Sequence, residues 1–278
     1  MKWVVVGAGS AGCVAARRLC DAGHHVTLVE AGPPLEAGAV PPEIDGDDCF
    51  AALGAEGRVH EDLSARRTAT GGVTRYLRGR GVGGSSAVNA MVALRGDPRR
   101  YRSWGWGDVD EAWARTLIPA ERPRDGELGR IDLLLLASDD AAEIVPLTRH
   151  DGHRVTSAEA YLWPLLSTSA GRFEIRTGQR ADRVEFDAVG AAAGVVLSGG
   201  DVVGADAVVL SAGAIHTPTI LQRSGIDRAG SGLRDHPAAG LLLQLADDAR
   251  TRIDPVSRGL ATATMISPVW SPGAAGSL

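Results

Sequence analysis

Apolar and polar positions change period twice within the first thirty or so residues. Residues 3–7, WVVVG, form an unbroken apolar run of the kind a strand shows when both of its faces are covered. From Ala11 to Ala22 the apolar positions recur at helical spacing, and HHVTLVEAG at 24–32 returns to strand character. Strand, helix and strand in this order predict a βαβ unit with Glu30 at the end of the second strand. Pro33, Pro34, Pro41 and Pro42 then break regularity, so residues 33–60 read as loop with short helical pieces.

Further along, GRGVGGSSAVNAMVALRG at 79–96 is a second glycine-rich loop running into an apolar stretch that predicts a strand. Residues 99–130 mix Trp104, Trp106 and Trp113 with charges and prolines, which predicts a helix and surface excursions, the indoles serving as core or loop anchors. The apolar segment IDLLLLASDDAAEIV precedes TSAEAYLWPLL, where Thr156 or Ser157 is placed to cap a short helix. FEIRTG and the segments after it alternate between apolar runs and Gly or Asp breaks. They predict a β-meander feeding a last buried strand at Ala207–Leu210.

Composition adds exclusions. With 278 residues and 44% hydrophobic content the chain can bury a core of one large domain or two modest ones. Its net charge of -5, with the basic residues scattered, lacks the electrostatic footprint of a nucleic-acid binder. Cys13, Cys20 and Cys49 have neither CxxC spacing nor a histidine at ligand spacing, so they read as buried thiols, with no disulfide framework and no metal site. The longest apolar run falls far short of the roughly 18 residues of a membrane span. The first strand leaves no room for a cleavable leader, and the expectation is a cytoplasmic protein without a membrane span.

Candidate chemistry begins at VVVGAGSAG, residues 4–12. Gly7, Gly9 and Gly12 stand in the GxGxxG arrangement between a strand and a helix. The first permits a tight turn, the second a close approach of backbone to pyrophosphate, the third close packing of helix on strand. Glu30 is placed to accept hydrogen bonds from an adenosine ribose and to repel a 2′-phosphate. A bare glycine turn in an unrelated α/β protein would lack this full context. A dinucleotide is therefore expected, and this loop alone leaves NAD and FAD both open.

Residues 78–96, RGRGVGGSSAVNAMVALRG, resemble the first signature of the glucose–methanol–choline (GMC) family of FAD-dependent oxidoreductases. MKWVVVGAGSAGCVAARRLCDAGHHVTLVEAG at 1–32 is similar to the start of that family, SAGAIHTPTILQRSGI at 211–226 to its second signature, and GLRDHP at 232–237 to the segment that follows. TSAEAYLWP at 156–164 resembles its linking region, and the compressed middle resembles the short mycofactocin-associated members.

The resemblance implies an α/β fold: an FAD-binding Rossmann-like domain of glutathione-reductase type, with a parallel sheet and β-meander, over 1–100 and 170–237. An incomplete α+β substrate or cap domain would occupy 101–169 and 238–278. It implies that Gly7, Gly9, Ser10, Ala11, Gly12, Glu30 and Ala31 serve the ADP portion of FAD. Arg80, Gly81, Gly84, Ser85, Asn89, Ala90, Met91 and Val92 would serve the pyrophosphate and flavin. Ala181 would pair backbone atoms with the adenine, and Ala212 and Gly213 would let the chain pass close to the cofactor. Val88 stands where some relatives carry a histidine bonded to the flavin, which implies non-covalent FAD.

Relatives of this kind oxidise a CH–OH group by passing a hydride to flavin N5, with a histidine base from the C-terminal region. This sequence ends at Leu278 before that region is met, so the resemblance assigns no catalytic residue. His24 and His25 read as turn residues and His60, His150 and His153 as solvated loop residues. His216 occupies a variable position of the second signature, and His236 lies in a segment that packs near the cofactor. The expected partners are a small alcohol and an unassigned electron acceptor, with a longer chain or a second polypeptide supplying the remainder. Two alternatives stay open: an inactive FAD-binding fragment, and an NAD-dependent Rossmann dehydrogenase, against which the second glycine loop argues.

Overall fold

The first apolar run becomes a covered strand. In the computed structural model, which describes residues 1–66, 68–107, 109–123, 127–128, 132–133, 136–137 and 143–235, Lys2–Val6 forms β1, with Val4, Val5 and Val6 buried. There follow α1 (Ser10–Asp21), β2 (His25–Val29), α2 (Pro42–Asp45), α3 (Cys49–Gly54), β3 (Ser64–Arg66) and β4 (Val73–Arg75). Next are α4 (Pro98–Ser103), α5 (Val109–Ala114), β5 (Arg149–His150), β6 (His153–Arg154) and α6 (Trp163–Thr168). The chain continues through β7 (Phe173–Arg176), β8 (Ala181–Phe186), β9 (Ala192–Leu197), β10 (Val202–Gly204), β11 (Ala207–Leu210) and α7 (Gly213–Arg223). Most of the 131–145 run, His236, Pro237 and residues 238–278 lie outside the described residues.

The chain divides into two units. Unit 1 comprises Met1–Ile44, Ala51–Asn89 and Thr156–Pro237; the described part of unit 2 lies in Asp45–Phe50 and Ala90–Val155. In unit 1 a parallel sheet has the order β11-β1-β2-β7, and β8, β9 and β10 form an antiparallel meander. Val4, Val6 and Val29 pack with Val184, Val195, Leu197, Val203 and Ile220, so one core joins the sheet, the meander and α7. The α1 stripe of Gly12, Cys13, Ala16 and Cys20 is buried as well, which explains why β1 carries no polar face.

Two expectations are corrected. The apolar stretch after the second glycine loop is no strand: Gly84–Ala87 makes a single 3₁₀ turn, and Val92 contributes only an isolated bridge to Leu147. Positive φ at Gly81, Gly83, Gly84 and Met91 breaks the extension that a strand needs. The capped segment does begin at Thr156, whose Oγ1 accepts from the Glu159 N–H at 3.2 Å, but its first part, Ala158–Leu162, is a π turn. Pro164 has no N–H to donate back into that turn, so the helical ladder is interrupted there before α6 continues.

The sequence boundary at residue 170 also differs from the structural one, since Thr156–Ser169 belongs to unit 1. Ser157 explains it. Its N–H donates to Ser86 Oγ at 3.0 Å, and the two buried hydroxyls are 2.8 Å apart.

Unit 2 is organised around Arg149, which is 2% exposed and faces Asp47 (3.5 Å), Glu121 (3.3 Å) and Glu127. Burial pushes the Asp47 carboxyl up and outweighs the lowering by Arg149. Trp104 and Trp106 are not core residues, being 61% and 58% exposed; they meet Tyr101 in a loop cluster, Trp104 edge-on and Trp106 stacked. All three cysteines are free and buried. No helix among the described residues is long and apolar enough to cross a membrane.

Candidate functional site

The two glycine loops interlock within unit 1. Gly7 takes φ +97°, and a Cβ there would lie 2.7 Å from the Ser211 carbonyl oxygen. A Cβ on Gly12 would be 1.8 Å from the Gly7 oxygen, so helix and strand approach as closely as the motif requires. Gly83 of the second loop donates its N–H to Ala8 of the first at 2.9 Å. A Cβ on Gly84 would stand 2.6 Å from Gly9 Cα, so bare backbone meets bare backbone.

Glu30 joins these parts in a way its sequence position alone does not reveal. Its buried carboxylate accepts from the N–H groups of Ala8 (2.8 Å), Gly32 (2.8 Å) and Gly81 (3.1 Å). One acid thus clasps the first loop, the end of β2 and the second loop. A carboxylate has about four acceptor sites, so these three bonds leave room on Oε2 for a ribose hydroxyl. Arg80 adds a strut from its guanidinium to the Ala31 carbonyl at 3.1 Å.

Exposure separates the scaffold of these loops from the surface they present. Gly12, Gly81 and Gly84 are buried, whereas Ser10, Ala11, Ser85, Asn89 and Gly213 are exposed. The α1 N-terminus has Gly9 as its N-cap, with no side-chain cap and no acid in the first turn, which leaves its positive end open to an anion. Gly9 itself has space: a Cβ there meets only Gly84 Cα, at 3.9 Å. Ser85 Oγ accepts from the Gly79 N–H at 3.0 Å, which leaves its O–H able to donate. These features form a cradle of backbone and donors that fits a dinucleotide diphosphate.

Ala181 opens β8 at 5% exposure, and the Gln179 N–H just before it donates to the Glu30 carbonyl at 2.9 Å. Ala212 follows Ser211, whose Oγ donates to the Val6 carbonyl at 2.7 Å. The structure therefore brings fifteen of the expected residues into unit 1, while Ala90, Met91 and Val92 fall in unit 2. There Met91 has φ +58° and accepts from the Thr148 N–H at 2.7 Å.

Other residues were not visible as site residues in the sequence. Tyr76 donates to Asp235 at 3.1 Å and Arg78 lies 3.8 Å from the Tyr76 ring centroid, so GLRDHP is tied to the lead-in of the second loop. His60 is not a solvated loop residue; it is half-buried against His216. Cys13 sits beneath the first loop with its thiol donating to the Ala8 carbonyl, and burial foremost pushes it up to about 12. His150 and His153 are exposed, the latter 2.9 Å from Asp45.

Comparison with known proteins agrees with this geometry. The family model described as GMC oxidoreductase matches residues 1–117 and 138–238. Human mitochondrial choline dehydrogenase is 32% identical over 276 residues, covering 82% of this chain and 46% of its own length. Pyridoxine 4-oxidase of Microbacterium luteolum is 28% identical, covering 81% and 52%. The crystal structure of pyridoxine 4-oxidase from Mesorbium loti superposes with a TM-score of 0.68 at 27% identity, over 83% of this chain and 54% of that one. The chain spans about half the length of the relatives it matches. With both glycine loops inside the matched segments, the chain belongs to the GMC oxidoreductase family and carries its FAD-binding N-terminal domain.

Proposed function

We propose that this chain is the cofactor-holding part of an FAD-dependent oxidoreductase acting on the CH–OH group of a small alcohol. The observation that carries the reading is the interlock itself. A nicotinamide dinucleotide needs one glycine loop at a helix N-terminus, whereas here a second loop is bound to the first through Gly83, Gly84 and the Glu30 carboxylate. The relatives named for their substrates include an oxidase of pyridoxine and dehydrogenases of choline, both alcohols, which supports that donor class.

When bound, FAD supplies a hydride acceptor at N5. The chain's own residues hold and orient it. The first-turn N–H groups of α1 would face the diphosphate, Glu30 Oε2 would accept from the ribose, Ser85 would donate, and Ala212 and Gly213 would keep side-chain bulk away. Val88 is 4% exposed and offers no nucleophile, so the flavin is held without a covalent bond. Three buried free thiols suit a reducing compartment, and we place the protein in the cytoplasm.

Titrating the flavin-stripped protein with FAD and with NAD, following flavin and tryptophan fluorescence, tests the reading. Saturable binding of FAD and none of NAD is expected. Tight NAD binding without FAD binding would refute it. Anaerobic addition of choline, pyridoxine and short alcohols to the reloaded protein then asks whether the flavin bleaches.

A further inference from the structure

His60 and His216 meet ring to ring, with centroids 4.4 Å apart and planes inclined by 34°. His60 lies on a stretch laid along the lead-in of the second loop. Val59 bridges Gly79, the His60 N–H donates to the Arg78 carbonyl at 3.0 Å, and the Arg80 N–H donates to the Arg58 carbonyl at 2.8 Å. His216 ends the first turn of α7, just past Ala212, whose Cα a Cβ on Gly7 would meet at 2.9 Å. Each ring is thus one short step from one of the two loops.

The groups facing His60 come from four elements. Burial lowers its pKa most, and His216 of α7 and Arg80 of the second loop lower it further; Asp62 beside it and Glu30 at the end of β2 act the other way. Asp62 is mostly exposed and its carboxylate stands 4.0 Å from His60 Nδ1, so solvent screens much of its effect. A dianionic ligand in the loops would oppose that lowering, because a nearby anion favours the charged imidazole.

We infer that the His60–His216 pair belongs to the dinucleotide site and takes up a proton as the diphosphate binds, one imidazolium N–H then facing the anion. The inference rests on the FAD-binding reading above. Its consequence follows from linkage: a ligand that raises proton affinity binds more tightly as pH falls, until the free protein is itself protonated. Two imidazoles in contact repel as cations, so the pair takes one proton, and each unit of pKa gained corresponds to about tenfold in affinity.

Isothermal titration of the flavin-stripped full chain with FAD and with ADP, in buffers of different ionisation enthalpy, tests this. Net proton uptake near neutrality is expected, with affinity about threefold to tenfold higher at about pH 6 than at about pH 8. His60→Asn and His216→Asn should each flatten that profile, whereas a merely structural role would shift affinity equally at every pH and leave the slope in place. Proton-neutral binding by the unsubstituted protein would overturn the inference, as would a slope that survives both substitutions. Failure of FAD and ADP to bind at any pH would instead overturn the FAD-binding reading, and with it this one.

Discussion

At the scale of single residues, polar groups placed among backbone that has little freedom hold the loops together. Glu30 is the plainest case. Its position after the second strand is legible in the sequence, and the ribose role follows from the motif. Its bonds to the backbone N–H groups of Ala8 and Gly81, in the two glycine loops, are not legible, because they depend on how those loops close. Glu30→Gln keeps the shape but loses the charge and presents an NH₂ to other donors, so it should cost about 1.5–3 kcal/mol. The urea unfolding midpoint measures this, and an unchanged midpoint would contradict the clasp. His60 gives a second prediction with a definite sign. Its folded-state pKa is depressed below the ordinary 6.5, so the unfolded chain takes a proton first as pH falls. The ligand-free protein should lose stability as pH drops through about 6.5 toward the depressed value. His60→Asn should remove that part of the slope.

At the scale of elements, the glycine loops separate folding from binding. Gly9 and Gly12 are three positions apart, yet their surroundings differ. A methyl group at Gly12 would collide with the Gly7 oxygen at 1.8 Å, so Gly12→Ala should destabilise by about 1–3 kcal/mol and abolish FAD binding. Gly9 has extended backbone at φ -79° and nothing nearer than 3.9 Å, so Gly9→Ala should fold with a cost below about 1 kcal/mol. Its methyl group would occupy the diphosphate path, and FAD affinity should fall at least tenfold. Thermal melts and FAD titration of both variants check the contrast; equal affinities for Gly9→Ala and the parent would contradict the placement of the loop. The βαβ unit, the meander and the last strand could be read from the sequence because the helix keeps its 3.6 period and the strands are apolar or alternating runs bounded by Gly and Asp. The 3₁₀ turn at Gly84–Ala87 and the π turn at Ala158–Leu162 could not, since each arises from one interruption: a positive φ in the first, Pro164 in the second.

At the scale of the whole molecule, the two units rest on different devices. Unit 1 has an apolar core shared by the sheet and meander, whose valine-rich pattern was visible in the sequence. Unit 2 gathers three carboxylates on the buried Arg149, a network no pattern predicts because its members come from Asp47, Glu121 and Glu127. Arg149→Met would leave those acids facing one another without their cation, and a loss of about 3–5 kcal/mol in unfolding free energy is expected. Denaturation monitored by tryptophan fluorescence would detect it, and wild-type stability in the variant would show the network to be dispensable. What the interlocked loops hold is read from the identity of the nucleotide released when the purified protein is denatured. FAD in the supernatant in about equimolar amount, with no flavin left on the polypeptide, is the predicted result. Release of NAD, or flavin that stays with the precipitated chain, would contradict it.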